Sequence, residues 1–199
     1  MEREVVWIVR DEGVNEGEER LQAVQTLEIP GAIRLKEAVI DVIDGKIVVQ
    51  REGNGVKLET YVRENGPLAE AQAGSMLLQI ASALSQAEAY VRPRQNLYPE
   101  DLSPSSVCVQ GDSFLVDIFS PNSDELAYWS VLRTLAALAV YAGCGDTVSY
   151  VEVSENLAEH LATLHWRSSL KAMLLDMFYS KSFPSFSCLT LLLASYKQA

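Results

Sequence analysis

The sequence predicts an α+β fold, in which a small sheet with one helix precedes a mainly helical half that contains a β-hairpin. Three observations predict it. Short β-branched runs crowd the first fifty residues, and Asp44-Gly45 joins two of them; this pair favours a two-residue hairpin turn because both positions tolerate positive φ. Beyond Gly66-Pro67, apolar residues recur at helical spacing in long segments. A second turn pair, Gly111-Asp112, then separates two short apolar runs. The chain has 199 residues, 48% hydrophobic and 22% charged, with 11 Gly and 7 Pro. That composition excludes disorder and collagen-like repeats. A chain of this length buries roughly 70% of its unfolded surface, as one domain or two small lobes.

Each element has its own signal. Glu4–Arg10 (EVVWIVR) reads as a strand. Glu18–Leu27 reads as a helix: Leu21, Val24 and Leu27 fall at helical spacing, and acids stand at the N-terminus where the dipole favours them. Pro30-Gly31 stops it. Ala38–Asp44 and Lys46–Gln50 are the paired strands. Pro67 suits the first position of a long helix to Ala89, with Glu70 in the first turn and Met76, Ile80, Leu84 and Ala87 as the apolar stripe. Pro93 and Pro99 bracket an irregular connector. Val107–Gln110 and Ser113–Ile118 form the second hairpin. Leu126–Ala142 is apolar on every side except for Arg133 and a few hydroxyls; it is short for a membrane span and lacks cationic flanks, so a buried helix is expected. Ser154 is the expected cap of a helix Glu155–His165. Ser168 or Ser169 is the expected cap of the next, with Leu170, Met173, Leu174, Met177 and Phe178 inward. Phe183-Pro184 precedes a last short helix, Cys188–Tyr196.

Charge and cysteine usage exclude several functions. The formal net charge is −11, which opposes a nucleic-acid backbone or an anionic membrane as partner. Between Pro99 and His160 stand ten acids against the single base Arg133, carrying nine of the eleven net negative charges. That stretch is either a solvated face or a docking surface for a basic segment. Three cysteines, Cys108, Cys144 and Cys188, with no CxxC spacing, suggest buried thiols in a reducing cytosol. Met1–Arg10 does not read as a secretory leader. His160 and His165 are five residues apart, on different faces of one helix, so no zinc pair is expected. GxSxG and HExxH motifs do not occur, and Gly53-Asn54-Gly55 lacks the lysine-serine pair of a phosphate loop. Trp7, Trp129 and Trp166 read as core residues, since no basic patch accompanies them.

In order and spacing, several strings resemble the protein kinases. Ile29–Leu35 resembles the segment between the regulatory helix and the fourth strand, Lys46–Glu52 the fifth strand, Leu58–Val62 the stretch after the hinge, and Pro67–Ala89 the long helix before the catalytic loop. Asp101–Val107 (DLSPSSV) resembles the catalytic loop H-R-D-L-K-P-E-N, Leu115–Phe119 the strand ending in D-F-G, and Tyr128-Trp129-Ser130 the Val-Trp-Ser of the central helix. The resemblance spans nearly the whole chain. It implies a kinase-like fold with a reduced N-lobe over residues 1–56 and a helical C-lobe over 57–199.

The departures bear on activity. Phosphoryl transfer relies on positioned charge, and this chain has no glycine-rich loop over the phosphates. Arg10 stands near the lysine position, where a guanidinium does not replace an ammonium. Glu19 matches the helix glutamate only with a gap. Pro99 and Glu100 replace the His-Arg of the loop, Ser103 its Lys, and Ser106 its magnesium-binding Asn. Asp101 and Asp117 remain, either as relics of an ion site or as a turn brace and a strand end. Ile118-Phe119 replaces Phe-Gly, and Ala127 replaces the bracing aspartate. Only Ser120–Glu125 separate Phe119 from the central helix, so the activation segment with its A-P-E element is missing. Phe183-Pro184-Ser185 lacks the arginine that would anchor it.

The resemblance therefore implies a catalytically inactive member, a reduced pseudokinase or a KIND domain (a kinase-lobe module without catalysis). Known KIND domains bind short, often basic, segments, as Spire proteins bind formin tails. The expected function is a cytoplasmic scaffold or adaptor module, with a possible cytoskeletal association. It would dock a protein or short basic peptide through Glu100, Asp101, Asp124, Glu125, Glu152, Glu155 and Glu159, with no cofactor, metal, nucleic acid or membrane insertion. The catalytic positions Asp101, Ser106 and Asp117 are degenerate. Two other readings compete: an ATP-binding pseudokinase that activates a partner enzyme allosterically, and residual phosphotransfer or nucleotidyl transfer through Asp117.

Overall fold

A computed structural model of the protein describes residues 4–8, 29–33, 35–41, 46–51, 55–91, 102–117, 126–180 and 183–198, the side chains of 4–8, 35–41, 46–51, 88–91, 126–128 and 197–198 excepted. The helix expected over Glu18–Leu27, the Asp44-Gly45 turn and the Pro93–Pro99 connector lie outside the described residues. So do Arg10, Glu19, Glu100, Asp101, Ile118, Phe119, Asp124 and Glu125.

Strands β1 (Glu4–Ile8), β2 (Leu35–Asp41) and β3 (Lys46–Arg51) form an antiparallel sheet in the order β1-β3-β2. β2 begins at Leu35, three residues before the expected start, because β3 runs on to Arg51 and Leu35 pairs with it. A second antiparallel sheet has the order β4-β5-β6, from β4 (Val56–Lys57), β5 (Val107–Gln110) and β6 (Ser113–Val116). Gly111, at φ +60°, supplies the turn between Gln110 and Ser113, as the turn pair predicts. Ile29–Ile33 runs past the outer side of β6. Val116 donates its N–H to Gly31 O (2.8 Å), and Ile33 donates to Val116 O (2.9 Å).

Helix α1 (Leu58–Asn65) follows β4 without a break. It buries Leu58 and Val62, one turn apart, and ends where the Gly66 N–H donates to Val62 O. The long helix α2 (Glu70–Val91) starts three residues after Pro67, not at it. Gly66 takes a positive φ and the Leu68 N–H donates to the carbonyl of Ala142 (2.8 Å), which holds the chain away from the helical path at Pro67; the ladder begins with the Ala73 N–H donating to Ala69 O (2.9 Å). The Gln72 side chain then accepts from the Ala69 N–H. The expected stripe is fully buried, Met76, Ile80, Leu84 and Ala87 together with Ala73 and Leu77.

Helix α3 (Leu126–Cys144) is the buried centre, with Val131, Leu132 and Leu135–Ala142 all in the core. Its alanines leave room for neighbours, and α2, α4 (Tyr150–Glu155), α5 (Leu157–Thr163) and α6 (Ser168–Tyr179) pack around it. Arg133, the one base in this apolar helix, is exposed and lies 4.5 Å over the Phe178 ring of α6, which reconciles a charge with its surroundings. Among the described residues no helix is long and apolar enough to cross a membrane.

The caps differ from expectation. One helix was expected over Glu155–His165 with Ser154 as its cap; the chain instead forms α4 and α5, broken at Asn156, and His165 falls beyond α5. Ser149 is the cap. Its hydroxyl accepts from the Glu152 N–H, and the Glu152 carboxylate accepts from the Ser149 N–H, satisfying two end groups reciprocally. Ser154 instead donates to Val151 O within the helix. Ser168 and Ser169 lie inside α6, whose flanking residue is Arg167 without a side-chain cap. There the Arg167 N–H donates to Glu70 Oε2 (2.8 Å), so a carboxylate of α2 takes the N-cap N–H, the group that the N3 acid serves in a capping box. The last helix, α7 (Phe186–Gln198), starts two residues early, and the Ser185 hydroxyl accepts from the Cys188 N–H.

Candidate functional site

The turn that leads into β5 contains the serines that resemble a degenerate catalytic loop. Ser106 donates its hydroxyl to Ser103 O (2.8 Å) and accepts from the Ser103 N–H (3.0 Å), while the Ser103 and Ser105 hydroxyls pair at 2.8 Å. The Asp117 N–H donates to Ser106 O (3.0 Å), so the β5–β6 hairpin, which the two residues flank, sets Ser106 and Asp117 side by side. Leu102, fully buried, gives its carbonyl to the Tyr150 hydroxyl (2.8 Å). That bond ties the turn to α4.

Beside this turn opens a cleft of about 410 Å³ between α1, the serine turn and the loop from α3 to α4. Tyr141 and Tyr150 form part of its wall, their rings edge to face at 6.0 Å. Two carboxylates, Glu59 from α1 and Asp146 from the short 3₁₀ turn after α3, are exposed at its margin. Burial raises the pKa of the Tyr141 hydroxyl above its ordinary value, and the Asp146 and Glu59 charges raise it further against a smaller opposing effect of Arg63. The local field at the cleft is therefore negative. Gly145, at φ +77°, packs on Pro67 and lets the chain turn sharply enough to present Asp146 there.

Among the acids expected to contact a partner, Glu152, Glu155 and Glu159 are described, all exposed. Glu152 is held by its cap: hydrogen bonds from the Ser149 N–H and hydroxyl lower its carboxyl below the usual range. It adjoins the cleft through Ser149, which lines it. Glu155 and Glu159 stand outside the cleft lining on α4 and α5. Glu59, Asp146, Tyr141 and Tyr150 were not among the expected contacts. Asp146 was visible as a member of the acidic stretch, but nothing local in the sequence brings Glu59 beside it. Among the described residues no cluster of three His, Cys, Asp or Glu side chains is placed to hold a metal ion.

No protein-family model matches the chain, and no curated protein matches it by sequence. Among solved structures, the M. tuberculosis PknI kinase domain aligns with it at a TM-score of 0.63 and 13% sequence identity, over 94% of this chain and 81% of that one. At that identity the likeness bears on architecture alone. The chain has a protein-kinase-like fold, α+β and mostly helical.

Proposed function

We propose that the protein is a non-catalytic kinase-like module, of pseudokinase or KIND type, that docks a basic polypeptide segment and serves as a cytoplasmic scaffold or adaptor. The observation that carries this reading is the cleft beside the serine turn. Where a kinase carries lysine and asparagine, this chain has Ser103 and Ser106, and their hydroxyls are spent on closing the turn itself. Next to them, Glu59 and Asp146 place two negative charges on one cleft beside Tyr141 and Tyr150, a setting that attracts guanidinium and ammonium groups. The exposed acids Glu152, Glu155 and Glu159 on α4 and α5 add negative charge that would steer a cationic partner.

The test uses a fluorescein-labelled arginine-rich nonapeptide and the full chain. Affinity should fall at least about tenfold between roughly 0.05 and 0.3 M salt, and the Glu59→Gln/Asp146→Asn double variant should lose a similar factor. An affinity indifferent to both salt and the double substitution would overturn the docking reading. Label transfer from γ-labelled ATP that Asp117→Asn abolishes would overturn the non-catalytic one.

A further inference from the structure

A second depression, of about 580 Å³, lies between α6 and α7 and shares no lining residue with the acidic cleft. Each of these helices packs elsewhere, α6 on α3 and α5, α7 on α2. Between them runs an open trough. Its walls have matching periodicity: Ser169, Met173 and Asp176 at i, i+4, i+7 on α6, and Cys188, Leu192 and Ser195 at i, i+4, i+7 on α7. At 1.5 Å per residue each wall is about 10 Å long, close to two turns. Leu192 remains 46% exposed and its neighbour Leu191 73%, apolar surface that a solitary helix pair gains nothing by displaying.

Its two ends differ electrostatically. At one end Arg167 is already neutralised: its Nε donates to Glu70 Oε1 at 2.6 Å, and its guanidinium stacks on Tyr196 at 4.4 Å. At the other, Asp176 forms no ion pair among the described residues. It stands in the last turn of α6, which holds no base, so its charge adds to the negative end of the helix dipole. A cation on a partner would complement that exposed carboxylate.

We infer that the α6–α7 trough seats a short amphipathic helix of a partner protein, with apolar side chains at i, i+4 and i+7 and a lysine or arginine at the end that meets Asp176. Two helical walls with such ridges accept a third helix by ridge-into-groove packing. A second copy of this chain is disfavoured by its net charge of −11. The surface is separate from the acidic cleft, so either assignment can fail without the other.

The test selects binders to the full chain from a displayed library of sixteen-residue helical peptides, with leucines fixed at i, i+4 and i+7 and all flanking positions varied. Enriched peptides should carry Lys or Arg at one end of the stripe, and Leu192→Arg, at an exposed position, should weaken them by about tenfold or more. Asp176→Arg should invert the preference, favouring Glu over Lys at that end, which a merely misfolded variant would not do. The proposal is overturned if no peptide is enriched, if binding survives Leu192→Arg, or if Asp176→Arg leaves the preference unchanged. It is equally overturned if sedimentation shows a dimer that Leu192→Arg dissolves, or if a dodecanoate chain alone fills the trough and displaces no selected peptide.

Discussion

A β-carbon added at Gly143 would lie 2.3 Å from Cζ2 and 2.7 Å from Cη2 of Trp166. The indole rests directly on the backbone of α3, so an added β-carbon would have to displace the ring. Gly143→Ala should therefore destabilise the protein by about 1–3 kcal/mol, read from urea unfolding, and Trp166→Leu in the same chain should recover part of the loss. Glu70 operates by charge instead. Partial burial raises its carboxyl, but hydrogen bonds from Arg167 and Tyr196 outweigh burial and leave the pKa below 4.5. Because the folded value lies beneath the unfolded one, the contribution is complete above the ordinary carboxylate range and is lost as pH falls through the folded value. Thermal melts between about pH 6 and pH 3 should show Glu70→Gln converging with the parent protein at the acid end. A constant offset at every pH would contradict this.

The elements divide by how much of their cause is local. α3 was legible because a segment apolar on all sides admits only a buried helix, and the Gly111-Asp112 hairpin because its turn chemistry lies within four residues. α1 has only eight residues and two buried anchors, Leu58 and Val62, too few for a periodicity to stand out. The start of α6 was misread for a different reason: its N-cap is Arg167, which Glu70, far away in the chain, holds by both the N–H and Nε. The α4 cap, by contrast, was present in the sequence as Ser149-x-x-Glu152, and Ser154 only competed with it. Ser149→Ala should cost about 1 kcal/mol by denaturant unfolding, whereas Ser154→Ala, which removes a bond inside the helix, should cost distinctly less. The serine turn was readable from the order of its strings. The cleft beside it was not, because Glu59 and Asp146 come to line one cleft only through the packing of α1 against the 3₁₀ turn after α3.

At the scale of the molecule, the acidic excess is concentrated in the same half that contains the buried helices. Like charges confined to a compact surface repel, and the folded state bears that repulsion more than the expanded chain does. Raising salt from about 0.01 M to about 0.1 M shortens the screening length from about 30 Å to about 10 Å, so the melting temperature should rise over that interval; a fall would mean that attractive pairs such as Arg167–Glu70 dominate. One further property follows from the way Gly31–Ile33 lies along Val116. A strand whose outer hydrogen-bonding groups stand open is a template onto which another chain can add and begin a fibre. Here Gly31 and Ile33 occupy the N–H and carbonyl of Val116 and the Gln79 side chain takes the Phe114 N–H, and Gly31 fits because its lack of a side chain lets it approach the Gln79 carbonyl. The same small contact that joins distant parts of the sequence thus also keeps neighbouring molecules from joining there.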